Sequence, residues 1–327
     1  MTERVAVLFT GGTISMQHDV AAGGAVPRLD GAAILARTQG VAAIADVVTI
    51  DWGRLPAAHF SFADLLDQAA RLRGALADPG VTGAVVVQGT DVMEETALAF
   101  DLLVPGTAPV IVTGAMRNAG QDGYDGPQNL RDAIRCAADP AARGIGAAVV
   151  MGGQILPADD VVKVDTLAYA AFQCPNDGPL GQVSEDGVRL ARRRLRRPRL
   201  PRVPDAAVEP IALVAAAMGT DGALVRAAAA GGARGIVVLA PGSGNTHPDV
   251  LAAAVEAMGR GIPVVLTSRV LRGGVRPAYG FPGGGAAWAR AGVIMAGTLN
   301  GPKARLMLAL ALGAGLRGQA LQDLFGG

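Results

Sequence analysis

The fold of this chain is best indicated by the stretch Val5-Ala-Val-Leu-Phe-Thr-Gly-Gly-Thr-Ile14, in which an apolar run ends in paired glycines. An uninterrupted apolar run of this length is typical of a strand buried in a parallel sheet. Ligands of such sheets bind beyond the carboxyl ends of the strands, where glycines let the backbone approach them closely. The hydroxyls of Thr10 and Thr13 stand at that point. A phosphate-binding loop is an alternative interpretation, but neither G-x-G-x-x-G nor G-K-[ST] is present.

Similar apolar runs alternate with helical patterns through the first part of the chain. The predicted strands are residues 5–9, 46–50, 84–88, 110–113 and 147–151, and the predicted helices are residues 61–76, 93–104 and 127–138. This alternation indicates βαβ units with helices on both faces of the sheet. We therefore predict an N-terminal α/β domain at residues 1–188, with a doubly wound, mostly parallel, flavodoxin-like sheet.

The pattern stops near Val188 and resumes at Ile211. Residues 189–210 are rich in arginine and proline, which favours a solvated linker whose arginines pair with carboxylates elsewhere. An RNA-binding patch is the alternative, although no aromatic residues are interleaved. Residues 211–327 form a second, smaller α/β unit. Its predicted strands are residues 211–215, 236–239, 264–267 and 293–296, and its predicted helices are residues 221–230, 249–259 and 302–312.

Composition excludes several classes of function. The chain of 327 residues has a net charge of +1, so no overall field attracts nucleic acid or membranes. It contains no apolar run long enough to span a bilayer, and the N-terminus lacks the pattern of a secretory signal. The two cysteines and three histidines have no metal-ligand spacing. We therefore expect a cytoplasmic protein without a metal, a cofactor, or a nucleic-acid or membrane partner.

Lysine is rare enough to be informative, since Lys163 and Lys303 are the only lysines among 29 basic residues. Arginine serves most structural purposes but cannot lose its proton near neutral pH, whereas lysine can. Lys163 follows the strand predicted at residues 147–151, so it can reach the same sheet edge as Thr13. The alternative is chance retention of a surface lysine.

A second polar segment follows the predicted strand at residues 84–88, where Thr90 and Asp91 precede a helix. Taken alone, Asp91 could simply cap that helix and Thr90 could be a turn residue. Together with Thr13 and Lys163, however, they form a set that can activate a hydroxyl nucleophile without histidine. A partly desolvated lysine can accept a proton in such a set.

Over nearly its whole length the chain resembles the bacterial-type L-asparaginase and glutaminase-asparaginase family. The resemblance rests on a series of motifs that occur in the family's order and spacing. They are Thr10-Gly-Gly-Thr13-Ile14, Gln88-Gly-Thr90-Asp91-Val-Met-Glu-Glu-Thr-Ala97, Thr113-Gly-Ala115-Met116-Arg117, Asp125-Gly-Pro-Gln-Asn-Leu-Arg-Asp-Ala133, the Lys163 segment, Gly178-Pro-Leu-Gly181, Gly242-Ser-Gly-Asn245 and Lys303-Ala-Arg305.

The resemblance implies hydrolysis of L-asparagine to L-aspartate and ammonia, with secondary glutaminase activity and a role in asparagine catabolism. Thr13 corresponds to the family's nucleophile, which forms an acyl-enzyme. Thr90, Asp91 and Lys163 correspond to its second catalytic set, and Asp91 also corresponds to the residue that binds the substrate's α-amino group.

The resemblance also implies a set of binding residues and a mobile lid at residues 15–30. The substrate-binding positions are Gly12, Gly89, Asp91, Ala115 and Asn245, and the lid positions are Ser15, Gly23, Gly24 and Ala25. Ala115 corresponds to a position whose backbone lines the amide pocket. Asn245 corresponds to a residue that reaches the active site of a neighbouring subunit, because family members are homotetramers built as dimers of dimers.

The chain departs from the family at three positions. The family's lid tyrosine is missing from residues 21–27, and we expect Tyr279 to replace it from a neighbouring subunit. The family's carboxylate-binding serine is missing from residues 55–60, where Ser61 is displaced, although His59 or a backbone N–H could serve instead. Residues 271–289 also lack the carboxylate that a neighbour contributes.

These departures keep two other hypotheses open. The chain could act on a different amide, or bind amino acids without turnover, because contacts to both α-groups are weakened. A subunit acting on amidated tRNA is a further alternative, suggested by the arginine-rich residues 189–210.

Overall fold

The computed structural model describes residues 3–19 and 23–326 and divides the chain into two compact units, Met1–Arg197 and Pro198–Gly327. The predicted linker, residues 189–210, therefore falls on both sides of this division. Among the described residues, no helix is both long and apolar enough to cross a membrane.

The first unit contains the alternating strands and helices that the sequence predicts, together with several short strands that it does not. Its strands are β1 (Arg4–Phe9), β2 (Met16–Asp19), β3 (Gly24–Pro27), β4 (Asp46–Asp51), β5 (Val81–Val87), β6 (Val110–Thr113), β7 (Ala147–Met151), β8 (Gln154–Pro157), β9 (Val162–Lys163), β10 (Phe172–Gln173), β11 (Gly181–Ser184) and β12 (Gly187–Leu190). Its α-helices are α1 (Gly31–Ala36), α2 (Phe62–Leu76), α3 (Met93–Leu103) and α4 (Gly126–Ala138). Short 3₁₀ turns occupy Thr13–Ser15, Val41–Ala43, Ala57–His59 and Pro140–Ala142.

The main sheet has the strand order β12-β11-β8-β7-β6-β5-β1-β4. Neighbouring strands from β4 to β7 run parallel, and β8, β11 and β12 extend the sheet in antiparallel fashion. In chain order the five parallel strands have the order 2-1-3-4-5, which is the flavodoxin-like arrangement, with a topological switch point between the first and third strands. The predicted fold class is thereby confirmed.

Local sequence explains why the helices begin where they do. Ser61 and Asp64 form a reciprocal capping box at the start of α2, and Pro127 stands in the first turn of α4. Alternate residues of β1, including Val5 and Val7, belong to a core cluster with residues of α4 such as Leu130. Helices α2 and α3 pack against one another and against the sheet.

Strand β8 changes the route by which Lys163 reaches the site. The sequence suggests that Lys163 lies just past the strand now labelled β7. Instead, β8 turns back along β7, so that Pro157 pairs with Ala148 at the amino-end edge of the parallel strands. The chain then runs along α3 to β9, where Lys163 contacts Glu94 in the first turn of that helix.

The second unit is a smaller parallel sheet with its own helices. Its strands are β13 (Ile211–Ala215), β14 (Gly235–Ala240), β15 (Val264–Ser268) and β16 (Ile294–Met295), in that order across the sheet. Its helices are α5 (Ala223–Ala230), α6 (Pro248–Gly259), α7 (Gly285–Arg290), α8 (Gly301–Gly313) and α9 (Gly318–Gly326). Trp288 is fully buried in its core cluster.

The arginine-rich segment differs from the solvated linker that its composition suggests. The side chains of Arg194 and Arg197 are 4% and 10% exposed, and both donate to the buried carboxylate of Asp101 on α3. Arg194 also pairs with Asp159 at 3.2 Å. The expected pairing of these arginines with carboxylates is therefore found, but in a buried cluster of the first unit and not in a solvated linker.

Candidate active site

The loops that follow β1, β5 and β6 leave the sheet side by side. Phe9 pairs with Val87 and Val87 pairs with Thr113, so the three strands end at the same level. The boundary between β1 and β5 is the switch point of the sheet, where open α/β folds form their binding crevice.

The two threonines of the loop after β1 differ in their exposure to solvent. Thr10 is fully buried, and its Oγ1 donates to the carbonyl of Val87 at 3.1 Å. Thr13 is half-buried and begins the 3₁₀ turn Thr13–Ser15. The backbone N–H and the hydroxyl of Ser15 both donate to the carbonyl of Gly12, at 2.9 and 2.7 Å. Thr13 is therefore the more accessible of these two threonines.

Gly12 brings the loop after β1 against the loop after β5. Its φ is 88°, and a Cβ at this position would lie 2.1 Å from the backbone nitrogen of Gly89. Only glycine fits this approach without moving one of the loops. Gly89 in turn faces Ala57, whose Cβ would lie 3.1 Å from a Cβ at position 89. The two loops thus form one packed surface beside Thr13.

Lys163 joins the residues that follow β5. Its Nζ donates to Oγ1 of Thr90 at 2.9 Å and to Oδ1 of Asp91 at 3.2 Å. The hydroxyl is buried, whereas the side chain of Asp91 is 70% exposed and that of Lys163 is 17% exposed. One nitrogen therefore connects a buried hydroxyl with a carboxylate that faces solvent.

Glu94 positions Lys163 through its backbone. The carboxylate Oε2 of Glu94 accepts the N–H of Lys163 at 2.7 Å, and β9 pairs Lys163 with Phe172 of β10. A charge-assisted hydrogen bond of this kind is about twice as strong as a neutral one. The sequence motif contained Glu94, but nothing in the sequence assigned it this role, since the contact joins residues 69 positions apart.

Lys163 and its two carboxylate partners, Asp91 and Glu94, line an open cleft. Its lining consists of Asp91, Glu94, Lys163, Val164, Asp165 and Thr166. The backbone N–H groups of Leu167 and Ala168 donate to Asp165 and hold the pKa of that carboxyl below its usual value. Three carboxylates around one ammonium give the cleft a negative field, which favours a ligand with a positively charged amino group.

The loop after β6 is held by a second polar cluster. Ala115 is fully buried in this loop. The carboxylate of Asp125 accepts from the N–H groups of Met116 and Arg117, at 3.0 and 2.9 Å. Asn129 donates to the carbonyl of Gly114 at 3.1 Å and to Asp125 at 2.9 Å. Asp125 and Asn129 are four positions apart in the motif at residues 125–133. This spacing places both side chains on one face of a helix and could have indicated that they hold the loop after β6.

The lid positions fall on the β2–β3 hairpin, apart from Ser15 in the turn beside Thr13. Asp19 pairs with Gly24 and His18 with Ala25, and Gly23 directly precedes β3. Residues 20–22, which the lid prediction also covers, lie outside the described residues.

Two residues considered for substrate binding have other contacts in the structure. Ser61 is engaged in the capping box of α2, hydrogen-bonded to Asp64. Asn245 lies in the second unit, where its side-chain oxygen accepts from the N–H of Gly285 at 3.3 Å. Its contribution to a neighbouring subunit's site stays a prediction. Tyr279, the expected substitute for the lid tyrosine, is half-exposed beside Phe281, and that role is likewise a prediction.

Within residues 3–19 and 23–326, no group of three or more His, Cys, Asp or Glu side chains could hold a metal ion. Cys136 and Cys174 are not joined in a disulfide, and Cys136 is buried. Burial raises the pKa of the Cys136 thiol far above its usual value.

Comparisons with known proteins match both halves of the chain. Residues 4–196 match the family Asparaginase, N-terminal, and residues 210–325 match the Glutaminase/Asparaginase C-terminal domain. An L-asparaginase of Bacillus licheniformis is 32% identical over 95% of this chain and 96% of the relative. A probable L-asparaginase of Deinococcus radiodurans is 36% identical over 98% of this chain and 97% of the relative.

More distant relatives extend the comparison. A glutaminase-asparaginase of Pseudomonas aeruginosa is 28% identical over 98% of this chain and 89% of the relative. The crystal structure of a probable cytoplasmic L-asparaginase from Campylobacter jejuni superposes with a TM-score of 0.84 at 27% identity, covering 99% of both chains. With both halves of the chain matched and full-length relatives above 30% identity, this chain belongs to the asparaginase family.

Proposed function

We propose that this chain is an amidohydrolase that converts L-asparagine to L-aspartate and ammonia through an acyl-enzyme on Thr13. The observation that carries the proposal is the contact of Lys163 Nζ with Thr90 Oγ1 and Asp91 Oδ1, at 2.9 and 3.2 Å, in the loop that packs against the Thr13 loop. The relatives named L-asparaginase support the choice of substrate.

In the first half of the reaction, Oγ1 of Thr13 attacks the side-chain carbonyl carbon of asparagine. Its proton passes by way of Thr90 or a water toward Lys163 and then to the departing nitrogen. Backbone N–H groups of the glycine loop stabilise the oxyanion, and each positioned donor of this kind contributes about 2.7–4 kcal/mol. The C–N bond breaks, ammonia leaves, and an aspartyl ester of Thr13 remains.

In the second half, a water molecule attacks the ester carbonyl. The same proton-transfer groups accept a proton from the water and return one to Oγ1 of Thr13 as the ester bond breaks. L-aspartate is released and the free hydroxyl is restored. This sequence of steps uses side chains and backbone groups of the protein together with water, and it needs neither a cofactor nor a metal ion.

Asp91 selects the substrate by pairing with its α-amino group. Its exposed carboxylate stands in the negatively charged cleft, while its neighbour Thr90 is buried beside Lys163. The backbone of Ala115 lines the amide pocket, and Gly12 and Gly89 allow the backbone to approach the substrate. Glutamine is a secondary substrate of this site, a proposal supported by the likeness to glutaminase-asparaginases.

We further propose that the chain acts in the cytoplasm, in asparagine catabolism, as a homotetramer in which Asn245 reaches a neighbouring subunit's site. A small amino-acid amide is its partner, and neither nucleic acid nor membrane is required. The likeness to a probable cytoplasmic L-asparaginase supports the compartment.

An amide other than asparagine is the second candidate substrate, favoured by one specific observation. Where the resemblance leads us to expect a serine for the α-carboxylate, Ala57 is buried against Gly89, and the nearby Ser61 caps α2. A weaker hold on the α-carboxylate raises KM for asparagine and widens the range of amides accepted.

The test is ammonia release from L-asparagine, L-glutamine and D-asparagine, measured for the intact chain with Thr13→Ala as the blank. The proposal predicts the highest kcat/KM for L-asparagine, with a slower reaction on L-glutamine. A shift in melting temperature with aspartate but no ammonia from any of the three would identify a binding protein and overturn the proposal.

A further inference from the structure

Tyr124 makes a long-range contact with the turn that carries Thr13. Its hydroxyl donates to the backbone carbonyl of Ile14 at 2.8 Å, across a sequence separation of 110 residues. Tyr124 stands two residues before the start of α4, in the segment that follows β6. Ile14 is fully buried and directly follows Thr13.

The remaining carbonyls of this turn accept hydrogen bonds from its own segment. The carbonyl of Gly12 accepts from Ser15, and that of Thr13 accepts from Met16. The carbonyl of Ser15 accepts from the N–H groups of Arg28 and Leu29, which follow the lid hairpin. These bonds shape the turn locally, whereas the bond from Tyr124 to Ile14 fixes the turn to a different part of the first unit.

The position of Tyr124 is itself closely constrained. Its ring covers Gly126, where a Cβ would lie 2.5 Å from the ring atom Cε2. The next residue, Asp125, is held by the N–H groups of Met116 and Arg117 in the loop after β6. Two adjacent side chains, Tyr124 and Asp125, therefore connect the loop of Thr13 with the loop of Ala115.

The protonation state of Tyr124 suits a donor. Burial raises the pKa of its hydroxyl to about 12, although the nearby Arg37 acts to lower it and Asp125 acts to raise it. The hydroxyl therefore keeps its proton throughout the neutral range and donates to the Ile14 carbonyl, so it does not act as the base of the reaction.

We propose that Tyr124 is a positioning residue that orients the Thr13 hydroxyl by holding the Ile14 carbonyl from the loop before α4. The inference rests on the proposed function, because it gives Thr13 the role of nucleophile. The contact joins the turn to the segment that leads into α4, and small displacements of a reacting group lower rates by up to about 100-fold.

The experiment compares Tyr124→Phe with the matched control Tyr169→Phe. Tyr169 also donates its hydroxyl to a backbone carbonyl, at 3.0 Å, but its acceptor is Gly123, the residue before Tyr124, and not a residue of the Thr13 turn. Steady-state kinetics with L-asparagine give kcat and KM, and hydrogen–deuterium exchange of the intact chain reports on the amides of Ser15 and Met16. We expect Tyr124→Phe to lower kcat about tenfold, leave KM within about twofold, and speed exchange at these amides. Tyr169→Phe should leave all three close to the intact chain.

The two readouts distinguish failure of the inference from failure of the proposed function. Unchanged kcat and unchanged exchange in Tyr124→Phe overturn the inference, even if the intact chain releases ammonia rapidly. The inference is also overturned if both variants lose kcat equally and their melting temperatures fall in parallel, because the loss would then come from general destabilisation. If the intact chain releases no ammonia yet Tyr124→Phe alone speeds exchange of the turn, the positioning of the turn is upheld and the proposed function fails.

Discussion

Nζ of Lys163 lies 2.9 Å from Oγ1 of Thr90 and 3.2 Å from Oδ1 of Asp91. The contact brings together residues more than 70 positions apart, because the chain runs back along α3 after β8. Proton transfer through this contact needs an amine that can be deprotonated, which arginine cannot provide near neutral pH. We therefore expect Lys163→Arg to lower kcat by about 10²–10⁴-fold. Steady-state ammonia release measures the effect, and a rate within about threefold of the intact chain would contradict it.

The bond from Glu94 to the backbone of Lys163 predicts a graded pair of variants. Glu94→Ala removes the acceptor of the Lys163 N–H, so Lys163 loses its fixed distance to Thr90 and kcat falls about tenfold. Glu94→Gln keeps an oxygen in place and should recover most of the rate. The comparison is made at saturating L-asparagine. Equal rates in the two variants would show that the acceptor oxygen does not matter.

Replacement of Gly12 should cause a steric clash, whereas replacement of Gly74 should not. A Cβ at position 12 would lie 2.1 Å from the backbone nitrogen of Gly89. Gly12→Ala must therefore separate the loops of Thr13 and Thr90, and we expect activity to fall by more than about 100-fold. Gly74, inside α2, has no neighbour within 4 Å of its Cβ position, so Gly74→Ala should keep full activity and gain about 0.5–1 kcal/mol in the free energy of unfolding. Full activity in Gly12→Ala would contradict the close approach of the loops.

The buried cluster at Asp101 predicts a difference between two arginines of one segment. Arg194→Met leaves the buried carboxylate of Asp101 paired with Arg197 alone, and we expect a loss of about 1.5–3 kcal/mol in the free energy of unfolding. Arg202 pairs with the fully exposed Asp205, so Arg202→Met should cost less than about 1 kcal/mol. Urea unfolding of both variants measures the difference. Similar midpoints would indicate that the cluster is not coupled to stability.

The partly buried hydroxyl of Tyr124 predicts an alkaline pH dependence. Its pKa in the folded protein is raised from 10.0 to about 12, with burial as the main cause. The folded state thus holds this proton more tightly than the unfolded state, and the free energy of unfolding falls as the pH rises from 10 toward 12. The absorbance of tyrosinate is titrated in the intact chain and in Tyr124→Phe. The step that the variant lacks should lie near pH 12. A missing step near pH 10 would contradict the burial of this hydroxyl.

The parallel core of the fold could be predicted from the sequence because its strands are long, apolar and separated by periodic helices. Strands β6 and β7 occur at the predicted residues 110–113 and 147–151. Strand β8 could not be predicted in the same way. It begins three residues after β7 ends and is only four residues long, so periodicity cannot distinguish it from a loop.

The candidate site was predictable only in part. Thr13, Thr90 and Asp91 follow the ends of recognisable strands, so their approach to one sheet edge follows from parallel topology. The supporting roles of Glu94 and Tyr124 depend on contacts across 69 and 110 residues of sequence, which no local pattern encodes. The burial of Arg194 could not be predicted for the same reason. The composition of residues 189–210 indicates a solvated segment and does not reveal a distant partner such as Asp101.

That Thr13 is the nucleophile is tested most directly by the initial rate of ammonia release from L-asparagine in the intact chain, Thr13→Ala and Thr13→Ser. We predict a loss of about 10³-fold or more in Thr13→Ala, with measurable activity kept in Thr13→Ser because serine retains a hydroxyl at the turn. Rapid ammonia release by a correctly folded Thr13→Ala variant would contradict the mechanism and shift the nucleophile to another residue of the site.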